Sequence, residues 1–397
     1  MTQTVQHDDA IQVPPNRNTA DTPALSIAGV DPELGFAGGE SQVLGLTLAL
    51  AGRGHRAELI CDPAGRLWDR AIAAGVRCHP LRIRNAIDLA AGMRLRAILK
   101  RERYDVVHFH TSRAHSMAPF ARGFARALVV TRRMDYRPNR VFAPYLFNRA
   151  VDGVVAISGG VADSLAAAGV DRERVTVVPS GVDCDRFRPP TAEERVRTRI
   201  ALGVSYGEFV ISAVGALEPR KGHRYLIEAI GALASTAPSV KVKCLIAGQG
   251  SIRGALQRDI TQVRCTERIR LLGRIDDLRE LLWASDVFAM PSLKEGLGVA
   301  ALEAMASALP VVASDVGGLR EVVESEYTGI IVPPANPEAI ASAIGRLEQW
   351  PALRSQMSAA ARARAVENYS MGEMTTRTLA LYRAWVRKTR EERDRVT

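Results

Sequence analysis

Short β-branched runs alternate with longer helical patterns along most of the chain, and this alternation restricts the fold more than any other feature. It is the signature of repeated βαβ units built around parallel sheets. In the first half the strand-like runs fall at residues 24–30, 56–61, 76–80, 105–109, 128–131, 153–157 and 175–179. In the second half they fall at 209–214, 242–247, 269–272, 287–290, 310–313 and 329–332. Helical patterns separate most of them; the clearest spans 40–50, where Val43, Leu44, Leu46, Leu48 and Leu50 form an apolar stripe.

A chain of 397 residues exceeds what one core usually supports, so two domains are expected. Residues 1–22 carry Asp, Asn, Gln and Pro without an apolar run and read as a solvated tail, not a secretory signal. The first doubly wound domain is assigned to 23–189. A junction at 190–204 follows Phe187-Arg188-Pro189-Pro190, and the second doubly wound domain occupies 205–370. The helical stretch 371–397 is expected to pack back on the first domain. The predicted class is therefore α/β, two Rossmann-like domains facing one another.

Hydrophobic residues make up 47% and aromatic residues only 5%, which fits an ordinary globular protein and disfavours nucleobase-stacking platforms. The five cysteines show no Cys-x-x-Cys spacing, so a reduced, cytoplasmic protein without structural zinc is expected. No segment approaches the ~20 apolar residues that span a bilayer. The charge is uneven: residues 81–150 hold 15 Arg and Lys against 4 acids, a net +11, although the whole chain carries only +10.

The sharpest motif follows the run at 287–290. It reads Pro291-Ser292-Leu293-Lys294-Glu295-Gly296-Leu297-Gly298-Val299, then a helix carrying Glu303. Gly296 and Gly298 allow close backbone approach, and a helix N-terminus suits a diphosphate. Glu295 and Glu303 can flank that site and accept hydrogen bonds from sugar and ribose hydroxyls. Taken alone, a capping Glu295 and a solvated Glu303 are the simpler account. The context that shifts the balance is Gly215-Ala216-Leu217-Glu218-Pro219-Arg220-Lys221-Gly222-His223, which sets two cations at a strand end, where doubly wound sheets bind ligands. Such cations neutralise a departing diphosphate.

With these residues the sequence resembles the group 1 glycosyltransferases, family 4 of the retaining GT-B class. The matching features are Arg220-Lys221-Gly222, the spacing from Glu295 to Glu303, Leu309-Pro310-Val311-Val312-Ala313-Ser314-Asp315-Val316-Gly317-Gly318, and Gly329-Ile330-Ile331-Val332-Pro333-Pro334. The resemblance implies sugar transfer from a nucleotide-diphosphate sugar with retention and without a bound metal or further cofactor. It implies that Arg220 and Lys221 bind the diphosphate, Glu295 the donor sugar and Glu303 the ribose. The Gly296, Leu297, Gly298 and Val299 backbone would meet sugar and phosphate, and Arg274 would lie in the loop touching the base. The glutamates are not implied to act as a hydrolase acid and nucleophile.

The first domain matches more loosely. Gly38 and Gly39, in Ala37-Gly38-Gly39-Glu40, retain the backbone approach to phosphate, while Arg133 stands where the family often has a histidine. His110, in Val106-Val107-His108-Phe109-His110, is either a satisfied structural group or a cleft residue, and Arg133 is a candidate grip on an anionic acceptor. The basic stretch is open to three readings: a nucleic-acid surface, a solvated face, or a face that leans on an anionic membrane where a glycan or lipid-linked acceptor is presented. The last is preferred, placing the protein on the inner face of the membrane without a nucleic-acid partner. A nucleotide-sugar 2-epimerase and a catalytically silent binding subunit remain alternatives. A dehydrogenase is disfavoured, because no Gly-x-Gly-x-x-Gly follows the opening strand.

Overall fold

The computed structural model describes residues 23–134, 138–237 and 239–394, with side chains through 391. The expected tail at 1–22 lies outside the described residues. The chain forms two compact units: one comprises the N-terminal residues through Ser180 together with Met371 onward, the other Gly181–Ser370.

The first unit is built on a seven-stranded sheet of order β3-β2-β1-β4-β5-β6-β7. Its strands are β1 Ser26–Asp31, β2 Arg56–Cys61, β3 Cys78–Pro80, β4 Val106–Phe109, β5 Ala127–Arg132, β6 Gly153–Ala156 and β7 Val175–Val177. The second unit holds a six-stranded sheet of order β10-β9-β8-β11-β12-β13. Here β8 is Phe209–Val214, β9 Val242–Ala247, β10 Ile269–Gly273, β11 Val287–Met290, β12 Val311–Ser314 and β13 Gly329–Val332. The strand pairings in both sheets are parallel. Central strands such as β4, β5 and β11 are buried along their whole length, as expected where helices cover both faces. In each unit the strand order reverses beside the first strand, between β1 and β4 and between β8 and β11, which marks the place where such sheets bind ligands.

The helix Met371–Asp394 belongs to the first unit. Met374, Leu379, Leu381 and Tyr382 join Ile27, Leu46, Leu50, Val106 and Val129 in one apolar cluster. Gly153 is a glycine for this reason, since a Cβ there would collide with the Trp385 ring.

The junction expected at 190–204 is not a free connector, and the division falls at 180/181. Val182 pairs with Ser370 as an isolated bridge, and its N–H donates to Tyr369 O at 2.7 Å. The helix Ala192–Ala201 starts with a capping box, Thr191 Oγ1 accepting from Glu194 N at 3.2 Å while Glu194 Oε2 accepts from Thr191 N at 2.8 Å. Its Arg195 and Arg199 then clamp Asp286 at 2.6 and 2.5 Å. A polar helix reads as a linker in sequence because its cations show no partner there; the partner lies 87 to 91 residues downstream.

Candidate functional site

In the second unit the loops leaving β8, β11 and β12 interlock through backbone contacts. The residues after β8 form a short 3-10 turn, Pro219–Lys221, closed by Gly222 at φ +65°, and a Cβ at Gly222 would strike the Pro291 carbonyl. Arg220 O accepts from Leu293 N at 2.8 Å, tying the first loop to the second. Gly318 N donates to Glu295 O at 3.3 Å, and Cβ atoms at Gly317 and Gly318 would meet Glu295 and Gly296 backbone. Three strand-end loops are thus held at fixed spacing without side chains.

This lattice brings Lys221 and Glu295 together. Lys221 Nζ donates to Glu295 Oε2, which also accepts from Ser292 Oγ at 3.3 Å. Both side chains of the ion pair are only 12% exposed, so each fixes the other's rotamer in a region from which water is largely excluded. Arg220 takes another direction. Its Nε donates to Glu218 Oε2 at 2.7 Å, and that pair is more than 40% exposed. Adjacent in sequence, the two cations diverge in space, so Lys221 is the buried member at this edge and Arg220 contributes chiefly through its carbonyl.

Gly298, at φ +97°, opens the helix Val299–Ala306 without a side-chain cap; its carbonyl takes the N–H groups of Ala301 at 2.9 Å and Leu302 at 3.2 Å, and no side chain caps those of Val299 and Ala300. Leu297 is buried beneath this loop. Glu303 stands half-buried on the same helix; its backbone carbonyl accepts from Ser307 Oγ at 2.9 Å, while its carboxylate meets no hydrogen-bond donor among the described residues. Burial raises its carboxyl to about 7, opposed by Arg186 and reinforced by Asp277. Arg186 and Asp277 themselves pair at 3.5 Å. Arg274 is turned to Asp276 at 3.0 Å in the loop after β10.

Sequence reasoning passed over His223, which follows Gly222 directly. The ring is 2% exposed, its Nε2 lies 3.5 Å from where a Gly215 Cβ would sit, and burial, then Lys221, lower it to about 4. A neutral imidazole therefore backs the Lys221 stem.

The first unit has a second polar strand edge, at the tips of β1, β4 and β5. His108 is saturated: Nδ1 bonds Tyr382 OH at 2.5 Å and Nε2 bonds Thr131 Oγ1 at 2.6 Å. His115 Nε2 donates to Thr131 O at 3.0 Å, and burial pushes its ring down to about 3. His110 stacks against His108 with ring centroids 4.0 Å apart, and burial holds it well below the usual histidine range. Arg133 donates to Ser180 Oγ at 3.2 Å and is lowered to about 10 by burial. Gly38 and Gly39 begin the helix Gly38–Gly52, where a Cβ on Gly39 would meet Arg133 Cδ at 3.9 Å. Asp31, also overlooked in sequence, ends β1 at 1% exposure; burial first, then Glu40 and Glu33, raise it to about 7. Its signal was an acid closing an apolar strand.

Two doubly wound units of this kind form the GT-B architecture. Residues 36–186 match the family model for Glycosyltransferase Family 4, and residues 208–349 match the model for Glycosyl transferases group 1. The chain belongs to this glycosyltransferase family.

Among its relatives is the UDP-Gal:alpha-D-GlcNAc-diphosphoundecaprenol alpha-1,3-galactosyltransferase of Escherichia coli. It is 27% identical over 73% of this chain and 79% of its own length. A GDP-mannose-dependent monoacylated alpha-(1-6)-phosphatidylinositol monomannoside mannosyltransferase of Corynebacterium glutamicum is 36% identical over 51% of this chain and 55% of its own. The matched stretch thus spans about half of that relative. Among solved structures, a glycosyltransferase from Rickettsia africae superposes with a TM-score of 0.82 at 23% identity, covering 92% of this chain and 99% of that one. Anabaena HepE in complex with UDP-glucose superposes with 0.80 at 21% identity, covering 90% and 99%. The named relatives are transferases, and the epimerase alternative gains no support from them.

Proposed function

We propose that the second unit binds a nucleoside diphosphate sugar and that the enzyme transfers the sugar, with retention, to a glycan or lipid-linked acceptor at a membrane surface. The observation that carries this reading is the Lys221–Glu295 pair beside the uncapped start of Val299–Ala306. Lys221 and the helix N–H groups meet the diphosphate and stabilise it as it departs. Glu295, already oriented by Lys221 and Ser292, accepts from donor-sugar hydroxyls. Glu303 accepts from ribose hydroxyls, whose arrival supplies donors its carboxyl lacks in the protein. Arg220 adds longer-range positive charge, and Arg274 borders the base.

The reaction as read here uses no divalent ion or other cofactor, because the lysine and the helix N-terminus provide the positive field. Excess chelator should leave the rate unchanged, and loss of activity restored by magnesium would refute this part. The E. coli and C. glutamicum relatives, whose names give lipid-linked acceptors, support the acceptor class.

Among the described residues no helix is long and apolar enough to cross a membrane. The basic stretch nonetheless displays Ile87, Leu89 and Met93 at 82%, 68% and 58% exposure, at and just before the start of the helix Leu89–Glu102. Arg82, Arg84, Arg94, Arg96 and Lys100 are exposed around them. Shallow apolar insertion plus ~1 kcal/mol per nearby cation suits an anionic bilayer better than a nucleic acid, which has no use for the exposed aliphatic groups.

A thermal-shift screen against UDP-, GDP- and ADP-sugars, followed by transfer to polyprenyl-diphosphate sugars, tests the main reading. No nucleotide response would remove it. Sedimentation with phosphatidylglycerol vesicles at low salt tests the membrane part.

A further inference from the structure

Parallel strands share one direction, so the first unit's sheet has two unlike ends. Ligand-binding loops follow the strands, whereas a group of charged residues precedes them: Asp152 stands directly before β6, Arg174 directly before β7, and Arg122 in the approach to β5. At these strand starts lies a cavity of about 450 Å³. It is lined by Arg122, Asn148, Arg149, Asp152 and Arg174, together with Lys388 from the helix Met371–Asp394. Its cations are held in place without being neutralised. Arg122 donates to the Arg149 carbonyl, and Arg174 Nη2 donates to Val151 O at 3.1 Å. Arg174 Nε is buried and has no hydrogen-bond partner among the described residues. Asn148 donates to Gly169 O at 3.1 Å and accepts from Asp171 N at 3.0 Å, which fixes the turn that carries Arg149. Arg149 and Lys388 are exposed, and their side chains meet no acid among the described residues. The one carboxylate of the lining, Asp152, accepts from Leu128 N at 2.7 Å. Four cations against one acid leave a net +3 around a single space.

We propose that this cavity binds a phosphomonoester or diphosphate group, at the end of the first sheet opposite to its ligand-binding loops and apart from the second unit's donor site. Charge and shape decide the class. A carboxylate would offset one of the cations, whereas a phosphomonoester or diphosphate brings two or more charges and oxygens that several guanidinium groups can share. A nucleic acid places its phosphates in a line and needs contacts spread along it, but here the cations converge on one point. Two of them, Arg122 and Arg149, come from the basic stretch 81–150, and the others from positions 174 and 388, so folding makes the convergence. A phosphate held here would join the Arg149 turn and the start of β7 to the C-terminal helix. That helix already lies against the start of β6, where a Cβ on Gly153 would collide with Trp385. The group is carried either by a free phosphorylated molecule or by a lipid headgroup, since both present the same oxygens.

The test titrates the full chain with inorganic pyrophosphate by calorimetry and, separately, sediments it with phosphatidylcholine vesicles containing phosphatidic acid, whose headgroup is a phosphomonoester. Pyrophosphate can also meet Lys221, so both measurements are repeated in Lys221→Ala. At least one probe should bind in that background. Arg149→Gln and Lys388→Gln should each weaken the binding about 10-fold, and together about 100-fold, as expected for losing charge-assisted hydrogen bonds. Sensitivity of pyrophosphate binding to these variants assigns the site to a free phosphate; sensitivity of vesicle binding alone assigns it to a headgroup. Lys241→Gln combined with Arg258→Gln removes the same charge from exposed positions in the second unit and should cost at most about twofold. Both cavity side chains are exposed, so the variants should keep the wild-type melting temperature without ligand; Arg122→Gln is read in place of one that does not. The proposal is overturned by three results: neither probe binds in Lys221→Ala, the cavity double variant binds as tightly as its parent, or the second-unit pair costs as much as the cavity pair.

Discussion

The two strand edges differ in how they hold the charged side chains nearest the strand ends of a parallel sheet. In the second unit the buried charges are opposed and paired, Lys221 with Glu295, and the loops carrying them are locked by backbone hydrogen bonds. In the first unit Asp31 Oδ2 and His110 Nδ1 have no hydrogen-bond partner among the described residues, while the neighbouring His108 is fully bonded by Tyr382 and Thr131. A pre-paired lysine can turn part of its charge towards an arriving polyanion without ever being stranded. Unsatisfied neutral and carboxyl groups gain only from a ligand that brings hydrogen-bond donors and acceptors. The difference is that one edge holds a matched charge pair and the other holds a buried carboxyl oxygen without a partner.

The comparison breaks first at Lys221. Lys221→Ala should lower kcat/KM for the nucleotide sugar about 10³-fold, as expected for removing a preorganised charge from a shielded site. Glu295→Gln should cost somewhat less, and the double variant should fall short of the product of the two effects, because the residues act as a pair. Additive losses would show that the ion pair is incidental.

The next largest effect is on stability. The Asp31 carboxyl rises from 3.8 to about 7 on folding, so its burial costs nothing below its unfolded value and increasingly destabilises the fold as pH climbs through the folded one. Asp31→Asn removes that penalty. The stability of the variant relative to wild type should therefore grow by up to about 4 kcal/mol between about pH 4 and 7.5. Denaturant titrations at several pH values measure it, and parallel curves would mean that Asp31 is not held in a desolvated site.

Glu303, raised to about 7, ties donor binding to pH. Lowering pH from about 7.5 to 6 should weaken nucleotide-sugar affinity several-fold as its acceptor capacity is lost, and Glu303→Gln should abolish the dependence. Calorimetric titrations across that range provide the check. Arg220→Ala is expected to have the smallest effect, a few-fold in donor KM, because its guanidinium is exposed and committed to Glu218. A loss as large as that at Lys221 would mean that Arg220 leaves Glu218 when donor binds.

Much of the fold was legible in the sequence. Each of the thirteen strands among the described residues overlaps a strand-like run of the sequence; the central ones are buried on both faces and so apolar throughout, whereas the edge strands β3 and β7 are only partly buried. The strand–loop–helix setting of the second unit's candidate site was legible as well, and its loop glycines stand at φ +65° and +97°, backbone that glycine adopts most readily. What could not be read was the divergence of Arg220 from Lys221: neighbours in a sequence carry no sign of which one turns inward. The choice was made by Glu218 and Glu295, one local and one 74 residues away.

His108 and His110 make the same point across one strand. Both sit in a single apolar run and look equivalent. Tyr382, 274 residues downstream, and Thr131 together saturate His108, while His110 Nδ1 has no partner among the described residues. The sequence by itself determined the parallel α/β architecture, the glycine-lined loops and the inventory of charges, because periodicity and backbone sterics are local properties. Which charges are paired, which acids are buried and which histidine nitrogens lack a partner were decided only by tertiary structure, because burial and hydrogen-bond satisfaction depend on residues that the chain brings back from far away.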